Sequence, residues 1–289
     1  MPNQGEGDIM QSKPVITISE LTKNYEGFHL HIDELNIDAG SFVGLIGENG
    51  AGKSTLLQLL LNQIRSDTGS IRILGSSYQK NEQQIKLKLG VVLEKNFFPL
   101  SFSASQIKKM MRDIYPSWDE ALFLTLLQNF ALPPTKKLKE FSRGMTVKLN
   151  FAVALAHHPQ ILFADEATSG LDPIVRREIL ALLESYVQKQ KMTVVLSSHI
   201  LSDLEQVASH FVFIHNGEIL LQENRADLLK RFIVTTKKHK QCYQLKQAET
   251  TKYLVEVTGK KTTDTRYATL EEILLFLVKG VKIDEGTTI

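Results

Sequence analysis

The chain is poor in cysteine, in long apolar runs and in excess charge of either sign. A single thiol, Cys242, stands in 289 residues. That excludes an internal disulfide and a thiolate metal cluster, and it fits a reducing compartment. Purely apolar stretches such as ILLFLV at 273–278 fall far short of the roughly 20 residues a membrane-spanning helix needs. The opening MPNQGEGDIMQSKP has neither the basic start nor the apolar centre of a secretion signal. If the protein serves a membrane, another chain supplies the span. With 34 basic and 32 acidic residues the net charge is only +2, so the concentrated basic surface of a nucleic-acid binder is missing and no nucleic-acid partner is expected. Internal repeats are absent too, so Trp118-Asp119 does not announce a propeller. His157-His158 has no ligand spacing with Cys242, and a zinc site is not expected.

What is present is an alternation of short apolar strands and amphipathic helices. Residues 1–13 read as a small, polar, flexible leader, with Met10 an alternative start. Strands are expected at 15–19, 28–37, 42–46, 71–74 and 89–93, with a helix from Lys53. Between residues 98 and 158 strand signals give way to three helical stretches, at 103–115, 119–130 and 142–157, separated by prolines. This suggests an inserted helical subdomain. The βα pattern resumes with a strand at 161–164, a helix capped by Asp172-Pro173, a strand at 193–197, a helix after His199, and strands at 211–215 and 218–222. Beyond Arg231 the chain turns polar and basic, then offers strands near 243–246 and 253–257 and an apolar helix at 270–278. The expected division is therefore a main unit at 14–231 and a small extension at 232–289, the final helix packing on the extension's own strands, with a dimer contact as the alternative. The KKHK run at 237–240 reads as a solvated loop.

Chemistry enters at Gly47-Glu48-Asn49-Gly50-Ala51-Gly52-Lys53-Ser54-Thr55, which follows an apolar strand and opens a helix. Glycines let successive N–H groups turn inward on phosphate oxygens, and the helix N-terminus adds its positive end. The lysine of such a loop reaches the β- and γ-phosphates, and the serine hydroxyl ligates magnesium. By residue frequencies the pattern arises by chance in on the order of one chain per hundred of this length. It leaves kinase, GTPase and ATPase open. ILFADE narrows the choice: a buried strand delivers Asp165 to a magnesium shell and Glu166 to the attacking water.

With further motifs in order, the chain resembles the nucleotide-binding subunits of ATP-binding cassette (ABC) transporters over about residues 14–231. Phe141-Ser142-Arg143-Gly144-Met145 stands where that family has its signature, Ser169-Gly170-Leu171-Asp172 matches the D-loop, and Ser197-Ser198-His199 matches the switch histidine. Tyr25 matches the aromatic that stacks on adenine. The resemblance implies an α/β fold, a RecA-like P-loop core with an antiparallel β flank, a helical subdomain and a small α+β extension. It also implies ATP and magnesium as ligands, Glu166 and His199 as catalytic groups, Asp172 as an ATP contact, and Ser142 and Gly144 as contacts made across a dimer. The resemblance further implies an identical or paralogous ATPase subunit as dimer partner, with integral-membrane permease subunits completing the complex at the cytoplasmic face of the membrane.

Three positions depart from the family pattern. Glu94 replaces the usual glutamine before the helical insert and is expected to ligate magnesium or hold the attacking water. Arg143 replaces a signature glycine and is read as solvent-facing, with a contact near the phosphates as the alternative, and Ala167 replaces a proline. Together with IYPSWDE and ATLEEILLFLVKG, these features resemble a bacterial subgroup of exporter ATPases linked to antimicrobial or cytolytic peptides and to cell-envelope antibiotic response. Two rival readings are a soluble ABC ATPase acting on DNA or ribosomes and an ATP-gated module with little turnover. The two cassettes, coiled-coil insertion or basic surfaces of the first are missing here.

Overall fold

The computed structural model describes residues 14–93, 97–237, 239, 241–247, 250–256 and 266–283. The leader 1–13, Glu94, part of the basic run (Lys238 and Lys240) and Val257 lie outside the described residues. The chain opens with a long antiparallel hairpin, β1 (Pro14–Tyr25) and β2 (Phe28–Asp38). Next come β3 (Phe42–Ile46), α1 (Lys53–Leu60) and β4 (Thr68–Ile73), the last of which returns to pair with β1. After α2 (Tyr78–Lys86) and β5 (Leu89–Leu93) the helices α3 (Ala104–Ile114), α4 (Glu120–Asn129) and α5 (Arg143–Leu155) follow in succession. Then β6 (Ile161–Asp165), α6 (Pro173–Gln190), β7 (Thr193–Ser198), α7 (Leu201–Val207), β8 (His210–His215) and β9 (Glu218–Asn224) complete the main sheet.

That sheet runs β5-β6-β7-β3-β8-β9, parallel except for the antiparallel edge strand β9. Its central strands are apolar on both faces because both faces are covered. Val43, Leu45, Ile161, Phe163, Val195 and Val212 pack toward α1 and the β2-β1-β4 flank, while Phe42, Ile46, Leu162, Ala164, Val194 and Leu196 pack toward α5 and α6. The parallel strands end at a common edge. In register, Ile46 sits beside Ser198, and Asp165 beside Ser197, so the residues that follow each strand are delivered to one place.

After α8 (Arg225–Arg231) the chain forms β10 (Phe232–Thr235), β11 (Cys242–Gln247), β12 (Thr250–Glu256), β13 (Arg266–Tyr267), α9 (Leu270–Lys279) and β14 (Val281–Ile283). These strands make a second, antiparallel sheet in the order β13-β10-β12-β11-β14. Helix α9 starts with a capping box, the Thr269 hydroxyl accepting from Glu272 N–H at 3.2 Å. It packs on β11 as expected but also on α7: its Leu270, Ile273 and Phe276 share one continuous apolar core with Leu204 and Phe211. Burying three such side chains contributes about 1.5–3 kcal/mol each, which fixes the extension to the main unit.

Candidate functional site

The phosphate-type loop lies where β3 meets α1, and packing explains its glycines. A Cβ at Gly47 would stand 2.4 Å from the Ile214 carbonyl oxygen, so no side chain fits there. Gly52 has φ +113°, in the region L side chains avoid, and a Cβ on it would press on Leu30 and Phe28 of β2 at 2.9 and 3.1 Å. Lys53 is buried, only 6% exposed, and its Nζ donates to the Gly47 and Glu48 carbonyls at 2.7 and 3.1 Å. The ammonium is thus aimed into the loop's concavity by the loop itself. Glu48, Asn49, Gly50 and Ser54 are exposed around it, Ala51 is buried and Thr55 half-buried.

The end of β6 brings the acidic pair to the same edge. Ser197 Oγ donates to Asp165 Oδ1 at 2.5 Å and accepts from Glu166 N–H at 3.0 Å, so one hydroxyl orients both residues. Glu166 departs the strand with φ +47°, which turns its side chain back over the sheet edge. Its Oε1 lies 3.8 Å from Lys53 Nζ and its Oε2 2.8 Å from His199 Nδ1. Lys53, Asp165, Glu166 and His199 therefore form one cluster from three strand ends, as the motif order predicts.

Two other expected residues sit beside it. Tyr25, 47% exposed at the end of β1, pairs with Phe28, whose ring touches the space next to Gly52, and the Lys23 ammonium stands 5.6 Å from the Tyr25 ring centre. Asp172 caps α6, accepting from Ile174 N–H at 2.8 Å. Ser142 and Gly144 lie elsewhere, at the start of α5. Ser142 is exposed and its Oγ accepts from Met145 N–H at 3.2 Å. No hydrogen bond among the described residues joins Ser142 or Gly144 to residues 47–55 of the same chain. Glu94 lies outside the described residues.

Arg143 is exposed, as the sequence reading expects, and makes a contact that reading did not foresee. It does not simply extend into solvent: a Cβ built on Gly170 would lie 3.0 Å from its Nη1, so the guanidinium rests against the D-loop backbone. Sequence reasoning also missed Ser197 as a site residue, although it stands in the Ser197-Ser198-His199 motif at a strand end, and it missed Arg176 and Asp203. Arg176 Nη2 donates to the Leu171 carbonyl at 3.1 Å, and its Nε lies 3.4 Å from Asp203 Oδ2. Burial raises the Asp203 pKa above the usual carboxylate range, with Arg176 opposing the shift.

A parallel-sheet fold with a lysine-bearing glycine loop at one strand end and an acidic pair at the next defines the class as a P-loop ATPase. The comparisons narrow it. The profile of the ABC transporter family matches residues 30–169. The bacitracin transport ATP-binding protein BcrA of Bacillus licheniformis is 38% identical over 225 residues, 75% of this chain and 72% of that protein. The lantibiotic transport ATP-binding protein SrtF of Streptococcus pyogenes is 34% identical over 212 residues, covering 72% and 90%. A solved ATP-binding subunit of an ABC transporter superposes with TM-score 0.66 at 25% identity, over 74% of this chain and 91% of that one. The chain belongs to the ABC transporter family, as an ATP-binding subunit that hydrolyses ATP.

Proposed function

We propose that this subunit closes head to tail with a second ATPase subunit around two ATP molecules and drives permease subunits that export peptides or other envelope-active compounds. The observation that carries it is the cluster at the sheet edge, where Glu166 stands 3.8 Å from Lys53 Nζ and 2.8 Å from His199 Nδ1, while the signature Ser142 lies on a separate, exposed helix start. Such a chain holds half a site on each of two faces. Lys53 and the loop N–H groups 48–55 grip the phosphates, and Tyr25 stacks on the base. Ser142 and Gly144 of the other subunit, with Asp172 at its D-loop, cover the γ-phosphate.

Ser54 and Asp165 would hold magnesium, with Glu94 as a further oxygen donor. This donor set of hydroxyl and carboxylates suits that cation, and the Ser197 hydroxyl fixes Asp165 at 2.5 Å. When bound, the ion neutralises charge on the transferring phosphoryl group. Glu166 orients the attacking water and takes its proton as the water oxygen bonds to the γ-phosphorus and the bond to the leaving ADP oxygen breaks. His199 Nδ1, 2.8 Å from Glu166 Oε2, holds that carboxylate in line.

The unit 14–231 performs this chemistry and 232–289 is an extension braced on α7. Among the described residues no helix is long and apolar enough to cross a membrane; the names of its relatives as transport ATP-binding proteins support a subunit that works at the cytoplasmic face through permeases. Their cytoplasmic helices would dock on the groove of about 470 Å³ between β5, α3 and α5, lined by Val91, Phe97, Met111, Tyr115 and His157. Phe97 there is 72% and Val91 38% exposed, so the groove presents apolar side chains to a docking helix. The peptide cargo rests on what the relatives' names say they transport. Comparison of ATP hydrolysis by the wild type and Glu166→Gln tests the reading, since equal rates would refute it.

A further inference from the structure

Arg176 and Asp203 touch neither the loop nor the acidic pair, yet they connect everything around them. Arg176 lies in the first turn of α6. Its Nη2 holds the Leu171 carbonyl of the D-loop at 3.1 Å, and its Nε and Nη1 stand 3.4 and 3.5 Å from the Asp203 carboxylate. Asp203 is 7% exposed and lies in the first turn of α7, the helix that His199 introduces. Two paths then lead back to Glu166. Within the D-loop, Ser169 N–H donates to the Glu166 carbonyl at 3.0 Å; at the other end, His199 Nδ1 meets Glu166 Oε2 at 2.8 Å. Together with the chain from His199 to Asp203, these contacts close a ring: Glu166, D-loop, Arg176, Asp203, His199, and Glu166 again.

A pair this buried adds little net stability, because desolvation offsets most of its attraction. What it does provide is a polar tie between the D-loop and α7, beside the apolar packing of α6 on α7. Moving the D-loop moves Leu171 O, hence Arg176, hence α7 and His199. We propose that Arg176 and Asp203 are a positioning pair for hydrolysis, a strut that sets His199 on Glu166 when a second subunit seats the D-loop. This rests on the dimer reading above.

The test is a double-mutant cycle on the full-length chain, with steady-state ATP hydrolysis and ATP affinity measured for Asp203→Asn, Asp203→Glu, His199→Ala and the Asp203→Asn/His199→Ala double variant. Asp203→Asn is expected to lower kcat roughly ten- to hundred-fold with ATP affinity unchanged, since misplacement of a catalytic group costs rate and leaves substrate binding intact. Asp203→Glu should restore most of the rate, and the double variant should be no slower than His199→Ala alone. Wild-type kcat in Asp203→Asn, additive losses in the double variant, or equal loss of ATP affinity in the Asn and Glu variants would each overturn the proposal. Failure of the underlying reading is distinguishable: the wild type and Glu166→Gln would then hydrolyse ATP at the same rate.

Discussion

Lys53→Met separates the fold's use of this lysine from the site's. The Nζ is buried and donates to Gly47 O and Glu48 O at 2.7 and 3.1 Å, so it organises the loop it belongs to. Methionine keeps length and apolar packing while removing a charge whose burial is costly. Two loop carbonyls lose a donor, but Glu48 is exposed and water can replace it there. Stability should fall by about 1–3 kcal/mol, because two carbonyls lose a donor and Glu166 loses the cation 3.8 Å away. Binding behaves differently. The ammonium exchanges its carbonyls for phosphate oxygens, and the net gain is about one charge-assisted contact, roughly 1.5–3 kcal/mol. The Kd for ATP should rise about 10- to 150-fold. Urea unfolding gives the first quantity and a fluorescent ATP analogue the second. A folded Lys53→Met protein that binds ATP as tightly as the wild type would refute the assignment of the loop.

Two further outcomes follow from the same geometry. His157 is 2% exposed and stacks on Tyr115 with ring centres 4.0 Å apart, and burial pushes its pKa from about 6.5 down to about 4. Its contribution to stability is complete above pH 6.5 and is lost as the pH falls toward 4, because the unfolded chain takes up the proton first; the loss approaches about 3 kcal/mol. His157→Phe, which keeps a ring against Tyr115, should flatten that part of the stability profile, and an unchanged slope would contradict the argument. Ser197→Ala removes the hydroxyl that orients Asp165 and the Glu166 N–H together; hydrolysis should fall roughly ten-fold or more as the proposed magnesium ligand and the proposed general base lose alignment, and a wild-type rate would show that the hydroxyl has no such role.

Much of this was legible in the sequence because it depends on local rules. The starts of β3, β5 and α1 coincide with the expected positions, since apolar runs bounded by glycine leave few alternatives. Helix α2 escaped notice because its sequence YQKNEQQIK buries only Ile85 and breaks helical geometry at Asn81. Helix α8 buries only Leu228. Neither gives the apolar period on which recognition depends. In the site, Gly47, Lys53, Asp165 and Glu166 announce themselves by chemistry at fixed spacing. Ser197 does not, because its role follows from the parallel register that sets it beside Asp165. Arg176 and Asp203 are 27 residues apart and resemble ordinary helix-surface charges until the fold brings them together. The contact of the exposed Arg143 with Gly170 was hidden for the same reason, since only the folded D-loop brings Gly170 beneath it.

The measurement that bears most directly on the central claim is ATP turnover by purified wild-type protein and Glu166→Gln, with the oligomeric state followed in the presence of ATP and magnesium. Glu166 is the one carboxylate between Lys53 and His199 among the described ion pairs, so its amide should abolish most hydrolysis while leaving ATP bound and the two subunits closed together. Equal turnover in the two proteins, or a Glu166→Gln protein that no longer binds ATP, would contradict the account.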